Sequence, residues 1–409
     1  MLPMQSVKRA ESKLNHSFEL TVWFTQFTYA FLFSPVKHIP GPWWARVSKL
    51  PLLWATFQRR RSKYASELLS RYGTIVVIAP DQIHTNDDRA MKVIYNRKSL
   101  KTEFYAGMGS WKGVTSTLGF VDYQSASTTR NNLIQIFQNK NLATLVENIT
   151  SHVAEMCDIL RTKSKAGQDV DGVVLFRLLA LDIVTDVLWG EKETLLPNAS
   201  KDTPVFLQRF HAFSTYNAMK SFIPGFDTYT RFLGTRKWRQ LRQDCSDMDV
   251  TAKAALERWK NRGEARDRDV LGMFISLDTA EDERKRIPKD HIPAYMVEML
   301  AAGSSTTSHT ATFTCYELAH HPDVQTKLRQ ELEDVFPDVN EIDERKLMEL
   351  PYLNGVIRET MRLMPMIPGM LPTNQLLRSP RVHANLCTNL GPLERYLMDP
   401  LEIDGFEVS

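Results

Sequence analysis

The chain has 409 residues, 43% hydrophobic and 24% charged, a balance that excludes both an extended disordered polymer and a polytopic membrane protein. Its 51 Lys and Arg against 48 Asp and Glu leave a net charge of +3, which removes the electrostatic case for nucleic acid as a partner. The four cysteines (Cys157, Cys245, Cys315, Cys387) are scattered with no C-x-x-C pair, so neither a disulfide framework nor a structural zinc site is indicated, and a reducing compartment is the simplest reading.

In chain order, the first element is Leu20 to Val36. These 17 residues carry no charge, include Trp23, Phe24, Phe27, Phe31 and Phe33, and are bracketed by Lys8, Arg9, Lys13 and Lys37. That length is the lower limit for crossing a bilayer, and no small-residue cleavage site accompanies it. Residues 1–37 therefore read as a membrane anchor or an interfacial helix, with a buried amphipathic helix as the alternative. Pro40-Gly41-Pro42 follows; proline cannot extend a helix and stiffens the chain, so this reads as a hinge into a globular body.

Thr74 to Ile78, ended by Ala79-Pro80-Asp81, reads as the one clear strand. Apolar spacing near 3.6 predicts helices over Asn132–Lys163, Val170–Trp189, Thr235–Arg262, Pro293–Ala319, Pro322–Phe336 and Leu353–Met364. His321-Pro322 and Pro365 punctuate them. The mixed-sign run Glu281 to Arg286 reads as a solvated loop, and Thr373 to Pro400 shows no sustained period of either kind. The predicted fold is mainly α with a small β-sheet region.

Two constellations carry chemistry. Ala302-Gly303-Ser304-Ser305-Thr306-Thr307 lies in the middle of an apolar helix. Glycine costs helix stability there, and Ser and Thr hydroxyls can bond carbonyls one turn back, so the cluster is expected to bend the helix or present hydroxyls to a ligand. The alternative is a polar seam packed against another helix. The second is Glu359-x-x-Arg362, a carboxylate and a guanidinium on one helix face, ordinarily a surface ion pair. Here it follows Leu350-Pro351-Tyr352-Leu353 and precedes Leu363-Met364-Pro365, a much rarer context.

Together with Pro40-Gly41-Pro42, Tyr72-Gly73 before the strand, Tyr316-Glu317-Leu318, His321-Pro322-Asp323 and Leu328-Arg329-x-Glu331-Leu332, these segments resemble the cytochrome P450 family. The likeness is to the membrane-bound haem-thiolate monooxygenases of filamentous fungi, and it extends to about Pro372. The resemblance implies a helical catalytic body over residues 38–372, oxygen insertion into a lipophilic small molecule, a flavoprotein reductase as electron donor, and an endoplasmic reticulum membrane with the body facing the cytosol. Thr306 matches the threonine that handles dioxygen and its protons, and Gly303 the glycine that leaves oxygen room. Ser305 stands where the family usually has an acid. Glu359 and Arg362 match the family's buried ion pair. Arg130 matches an arginine that pairs with a haem propionate. Phe104 to Phe120, with Tyr105 and Trp111, matches the loop over the substrate, and Thr203 to Leu233 the pocket roof. Ala126 and Thr373 replace residues that commonly assist the propionates.

The resemblance also implies haem, yet the family's F-x-x-G-x-R-x-C-x-G segment, whose cysteine binds the iron, is nowhere in the 409 residues. Cys387, in Asn385-Leu386-Cys387-Thr388-Asn389, has neither its Gly nor its Arg, and His383 stands alone in an irregular segment. No metal ligand is assigned. Poor or absent haem binding and no activity are expected of the chain as it stands, a P450-like fold lacking its C-terminal haem-cysteine portion. Residues 373–409 read as an aberrant tail. Thr373 to Pro400 is expected to be retained intervening sequence before a strand-like Leu401–Val408, and a true lineage of truncated proteins is the rival. Two other readings stay open: a membrane-tethered helical binding protein, and a non-functional remnant.

Overall fold

The computed structural model describes residues 24–367, apart from 88–89, 91–100, 137–145, 191–194, 197–204, 262–269, 279–285, 339–341 and a few single positions. The run Glu281 to Lys285, and Thr373, His383 and Cys387, therefore lie outside the described residues. Those described fall into two compact units, one ending at Thr102 and the other beginning at Glu103.

In the first unit a π-helical turn, Tyr29–Phe33, precedes helices α1 (Trp43–Val47), α2 (Leu50–Phe57) and α3 (Arg61–Tyr72), then strands β1 (Ile75–Ala79) and β2 (Gln82–Thr85). The strands pair antiparallel, Ile75 opposite Thr85 and Val77 opposite Ile83, with an irregularity between Val77 and Ala79. Every residue of β1 is buried. Side chains alternate along a strand, so Ile75 and Val77 pack with Val36, Ile39 and Ala45, while Val76 and Ile78 pack with Leu52 and Leu68. Burial on both faces explains why this strand is an unbroken apolar run.

The expected hinge is fastened to that strand. Val77 N–H donates to Pro40 O at 2.9 Å. A Cβ on Gly41 would come within 3.0–3.1 Å of Val77 backbone and side-chain atoms, and its φ of 155° is one that other residues rarely adopt. Gly41 thus permits a close approach. Ahead of it, Phe24, Phe27, Tyr29, Leu32 and Phe33 are exposed and only Ala30 of the turn is buried. Among the described residues no helix is long and apolar enough to cross a membrane.

The second unit holds α4 (Glu103–Gly109), a two-strand hairpin of β3 (Ser110–Trp111) and β4 (Val114–Thr115), and helices α5 (Tyr123–Ile134), α6 (Val146–Lys165), α7 (Gly172–Trp189), α8 (Val205–Phe222), α9 (Phe226–Phe232), α10 (Arg236–Asn261), α11 (Val270–Asp278), α12 (Ile292–His320), α13 (Pro322–Val335), α14 (Glu344–Glu349) and α15 (Pro351–Leu363). α7, α10, α12, α13 and α15 fall within two residues of the helices expected from periodicity. The expected helix Asn132–Lys163 does not hold as one piece. α5 stops at Ile134, where Ile136 N–H turns back onto Leu133 O, and α6 starts at Val146. The sequence carries a signal for the break, since the polar run Gln138-Asn139-Lys140-Asn141 interrupts the apolar stripe and the stripe resumes at Leu142 out of phase.

α7 and α12 pack side by side at the centre of this unit, flanked by α10 and α11. Leu178, Leu181, Trp189, Met248, Phe274 and Leu300 are sealed there. Asp171 starts α7 by accepting Val174 N–H at 3.1 Å, the ordinary use of an aspartate before a helix. The architecture is the one expected: mainly α, with small antiparallel sheets, although the strands number four among the described residues where one was expected.

Candidate active site

The site is built on α12. One face of this helix, Tyr295, Met296, Leu300, Ser304 and Ser308, is buried. Its polar cluster satisfies its own hydroxyls: Ser304 Oγ donates to Leu300 O at 2.6 Å, Thr306 Oγ1 to Ala302 O at 2.7 Å, and Ser308 Oγ to Ser305 O at 3.2 Å. The helix is continuous from Ile292 to His320 through the cluster. Ser304 and Ser308 face the core, while Thr306 is exposed. The two sequence readings thus belong to different residues, a packed polar seam at 304 and 308 and a presented hydroxyl at 306. Gly303 has a packing role: a Cβ there would lie 3.2 Å from Val184 Cγ2 on α7. Ser305, between them, is half-buried.

The loop from α4 through the hairpin is held to the same helix. Glu298, two turns before Thr306, accepts Leu118 N–H through Oε1 at 2.7 Å, and through Oε2 accepts both Thr117 N–H at 3.1 Å and the Thr117 hydroxyl. Ser116 closes the hairpin onto Gly109 O with its N–H (2.7 Å) and its hydroxyl (2.8 Å). Gly109 and Gly119 abut so closely that a Cβ on either would run into the other's backbone. Phe104 meets Phe222 of α8 with ring centroids 4.9 Å apart and Tyr105 edge-on at 5.4 Å; Tyr105 is buried. Trp111 pairs with Val114 in the hairpin, and its side chain lies outside the description.

The sequence reading passed over Glu298, although a signal was present. It is the single Asp, Glu, Lys or Arg between Asp290 and Glu317, in an otherwise apolar helix. A lone carboxylate in such a place must be paired or bonded. It also bears on a neighbour. Burial, then the Glu298 charge, push the Tyr295 phenol up to about 12.

On α15, Arg362 embraces Glu359 through Nε (2.8 Å to Oε2) and a terminal nitrogen (2.6 Å to Oε1). These hydrogen bonds outweigh desolvation and hold the Glu359 carboxyl below its usual range. Glu359 is buried, but 44% of the Arg362 side chain is exposed, so the pair is open to solvent on one side. Its contribution belongs nearer the ~1 kcal/mol of exposed pairs than the several expected of a buried one. Glu331 of α13 accepts Tyr352 and Leu353 N–H, both at 2.9 Å, and so caps the first turn of α15. His309 of α12 meets Met364 O at 3.1 Å just past the end of α15.

Arg130, near the end of α5, is exposed and makes no hydrogen bond or ion pair among the described residues; Ala126, one turn earlier, offers no polar atom. No axial donor accompanies it. Cys157 is on α6, Cys245 is sealed against Tyr216, Met219 and Phe226, and Cys315 lies nine residues beyond Thr306 on α12. Among the described residues no cluster of His, Cys, Asp and Glu could hold a metal. Among the described residues no axial ligand for haem is assigned.

The second unit thus joins a long central helix carrying Gly303 and an exposed Thr306, a loop fastened to that helix by Glu298, and a capped helix with an intrahelical Glu–Arg pair. The cytochrome P450 family profile matches residues 40–375, and the chain belongs to that family. It is 24% identical over 355 residues to the cytochrome P450 monooxygenase ABA2 of Pyricularia oryzae, covering 83% of this chain and 66% of that one. Tryprostatin B 6-hydroxylase of Aspergillus fumigatus is 25% identical, with 84% and 60% covered. The cytochrome P450 monooxygenase BOA3 of Botryotinia fuckeliana is 25% identical, with 84% and 68% covered. The crystal structure of a cytochrome P450, CYP102L1, superposes with a TM-score of 0.59 at 18% identity over 73% of this chain and 68% of that one, a likeness of fold. The chain spans about two thirds of the length of these curated relatives.

Proposed function

We propose that this chain derives its function from fungal haem monooxygenases that insert oxygen into lipophilic small molecules of secondary metabolism, and that it carries their substrate-covering and oxygen-side elements. One observation supports this above the rest: Glu298 ties the cover loop to the helix that presents Thr306 eight residues on. In that arrangement the loop encloses an apolar ligand, Phe104 and Phe222 supply its apolar wall, and Thr306 offers a hydroxyl on the exposed side of α12. A flavoprotein reductase is the electron donor that fits this ancestry. The exposed Phe24, Phe27, Leu32 and Phe33 beside Lys37 suit the interface of an endoplasmic reticulum membrane, with the body in the cytosol.

Binding of a lipophilic ligand is the function these elements support by themselves; haem-thiolate oxidation needs an F-x-x-G-x-R-x-C-x-G segment, which the 409 residues do not contain. The test has two readings on one preparation. Phenanthrene is expected to quench tryptophan fluorescence saturably, and the haemin-treated, reduced chain is expected to show no carbon monoxide band of the thiolate type. A thiolate-type band would overturn the second statement and point to Cys387. Failure of phenanthrene to bind would overturn the first.

A further inference from the structure

Asn217 of α8 is 5% exposed, and among the described residues neither its amide nitrogen nor its amide oxygen has a hydrogen-bond partner. Burying both ends of a carboxamide unpaired is costly, and native structures keep such groups when something outside the chain completes them. The place of this one is defined by its neighbours one turn away on the same helix face. Phe213, four residues before, packs against the central core. Ser221, four residues after, donates its hydroxyl to Asn217 O at 2.8 Å and lies against α4, where a Cβ on Gly107 would come within 2.7 Å of Ser221 Cα. Asn217 thus stands on the strip of α8 between the core and α4, five residues before the Phe222 that meets Phe104. The same helix shows what satisfied polar burial looks like: Tyr216, next in sequence and fully buried, bonds both Asp227 and Thr230.

We propose that Asn217 is a polar recognition group for the ligand, and that the ligand class is a lipophilic molecule carrying a lactam or other cis-amide. This rests on the reading of α4 and α8 as walls of a ligand pocket. A primary carboxamide offers an acceptor and a donor side by side, and a lactam presents the complementary donor and acceptor in the same spacing. A hydrocarbon in this position leaves both ends unpaired, and an N-methyl lactam restores one alone. The penalty is then borne by the ligand-free chain, and specificity follows from the difference.

The probes are phenanthridin-6(5H)-one, its N-methyl derivative and phenanthrene, matched in size and shape. Each is titrated by tryptophan fluorescence against the full 409-residue chain in detergent and against its Asn217→Leu variant. The chain is expected to bind the N–H lactam at least tenfold tighter than phenanthrene, with the N-methyl lactam between them. In Asn217→Leu that preference is expected to vanish while phenanthrene binding is kept or improved. Without ligand, the variant is expected to melt at a higher temperature, because an unpaired amide has been replaced by an apolar group of similar size. Equal binding of lactam and phenanthrene by the unaltered chain overturns the proposal and leaves the pocket standing; it is the outcome expected if water alone completes Asn217. A lower melting temperature for Asn217→Leu overturns it too, since that would mean a structural partner. Loss of binding for all three probes overturns the pocket reading itself and this proposal with it.

Discussion

Ser304 and Thr306 are two residues apart on α12 and face opposite sides of it, as a 100° advance per residue requires. Ser304 is fully buried and returns its hydroxyl to Leu300 O; Thr306 is exposed and returns its own to Ala302 O. Gly303 beside them answers to a different neighbour, Val184 of α7. Two effects oppose each other when a side chain is added there. Replacing glycine within a helix gains roughly 0.5–1 kcal/mol in backbone entropy. A methyl group at 3.2 Å from Val184 Cγ2 asks that side chain to yield by a few tenths of an ångström. Gly303→Ala is therefore expected to change stability by less than about 1 kcal/mol, whereas Gly303→Val overpacks the α7–α12 seam and is expected to cost about 1–3 kcal/mol. Urea midpoints of the two variants check this, and equal midpoints would show that Val184 does not confine the position.

At the scale of elements, the Glu298 carboxylate ties the loop around Thr117 and Leu118 to α12. Three donors converge on Glu298: the N–H of Thr117, the N–H of Leu118 and the Thr117 hydroxyl. Glu298→Gln keeps the shape but turns an amide NH2 toward a site that needs an acceptor. At least one loop donor is then unpaired, at a cost of about 1–3 kcal/mol. The expected outcome is hydrogen exchange at Thr117 and Leu118 faster by roughly tenfold or more, with amides in the α7 core unaffected. Unchanged exchange there would mean that Ser116 and the abutting Gly109 and Gly119 hold the loop by themselves. Glu331 performs a similar service elsewhere, capping α15 and so orienting the Glu359–Arg362 pair. In both cases a carboxylate on one element fixes the backbone of the next.

For the whole molecule, buried phenols tie stability to alkaline pH. Tyr295 is held up to about 12 mainly by burial and then by Glu298, and Tyr216 up to about 12 mainly by burial and then by its bond to Asp227. A tyrosine released by unfolding ionises near its ordinary value, about 10. The unfolded chain thus loses protons first, so the contribution of each phenol is complete below pH 10 and is lost as pH rises from 10 toward 12. Tyr295→Phe removes one of them. Its stability is expected to fall less steeply than that of the unaltered chain over that interval, by on the order of 2 kcal/mol, as followed by circular dichroism during urea titration. Superimposable alkaline limbs would show that Tyr295 titrates freely in the folded chain.

Much of the framework was legible in the residues themselves. α7, α10, α12, α13 and α15 bury a stripe or a whole surface against neighbours, and a 3.6-residue period follows from that burial wherever it occurs. β1, buried on both faces, announced itself as an apolar run, and the ordered motifs from Pro40 to Pro365 carried the family. The break between α5 and α6 was legible too, in the polar run Gln138-Asn139-Lys140-Asn141 and the change of apolar phase after it, although two apolar segments so close together read as one long helix. What the folded chain alone supplied concerns partners distant in sequence. Gly41 meets Val77, Gly303 meets Val184, Glu298 takes the amides of a loop some 180 residues away, and the Asn217 amide finds no partner among the described residues. Periodicity records which face of an element avoids water. Which donor meets which acceptor across that face depends on where the chain has been brought by the packing of everything between, and no local pattern encodes it.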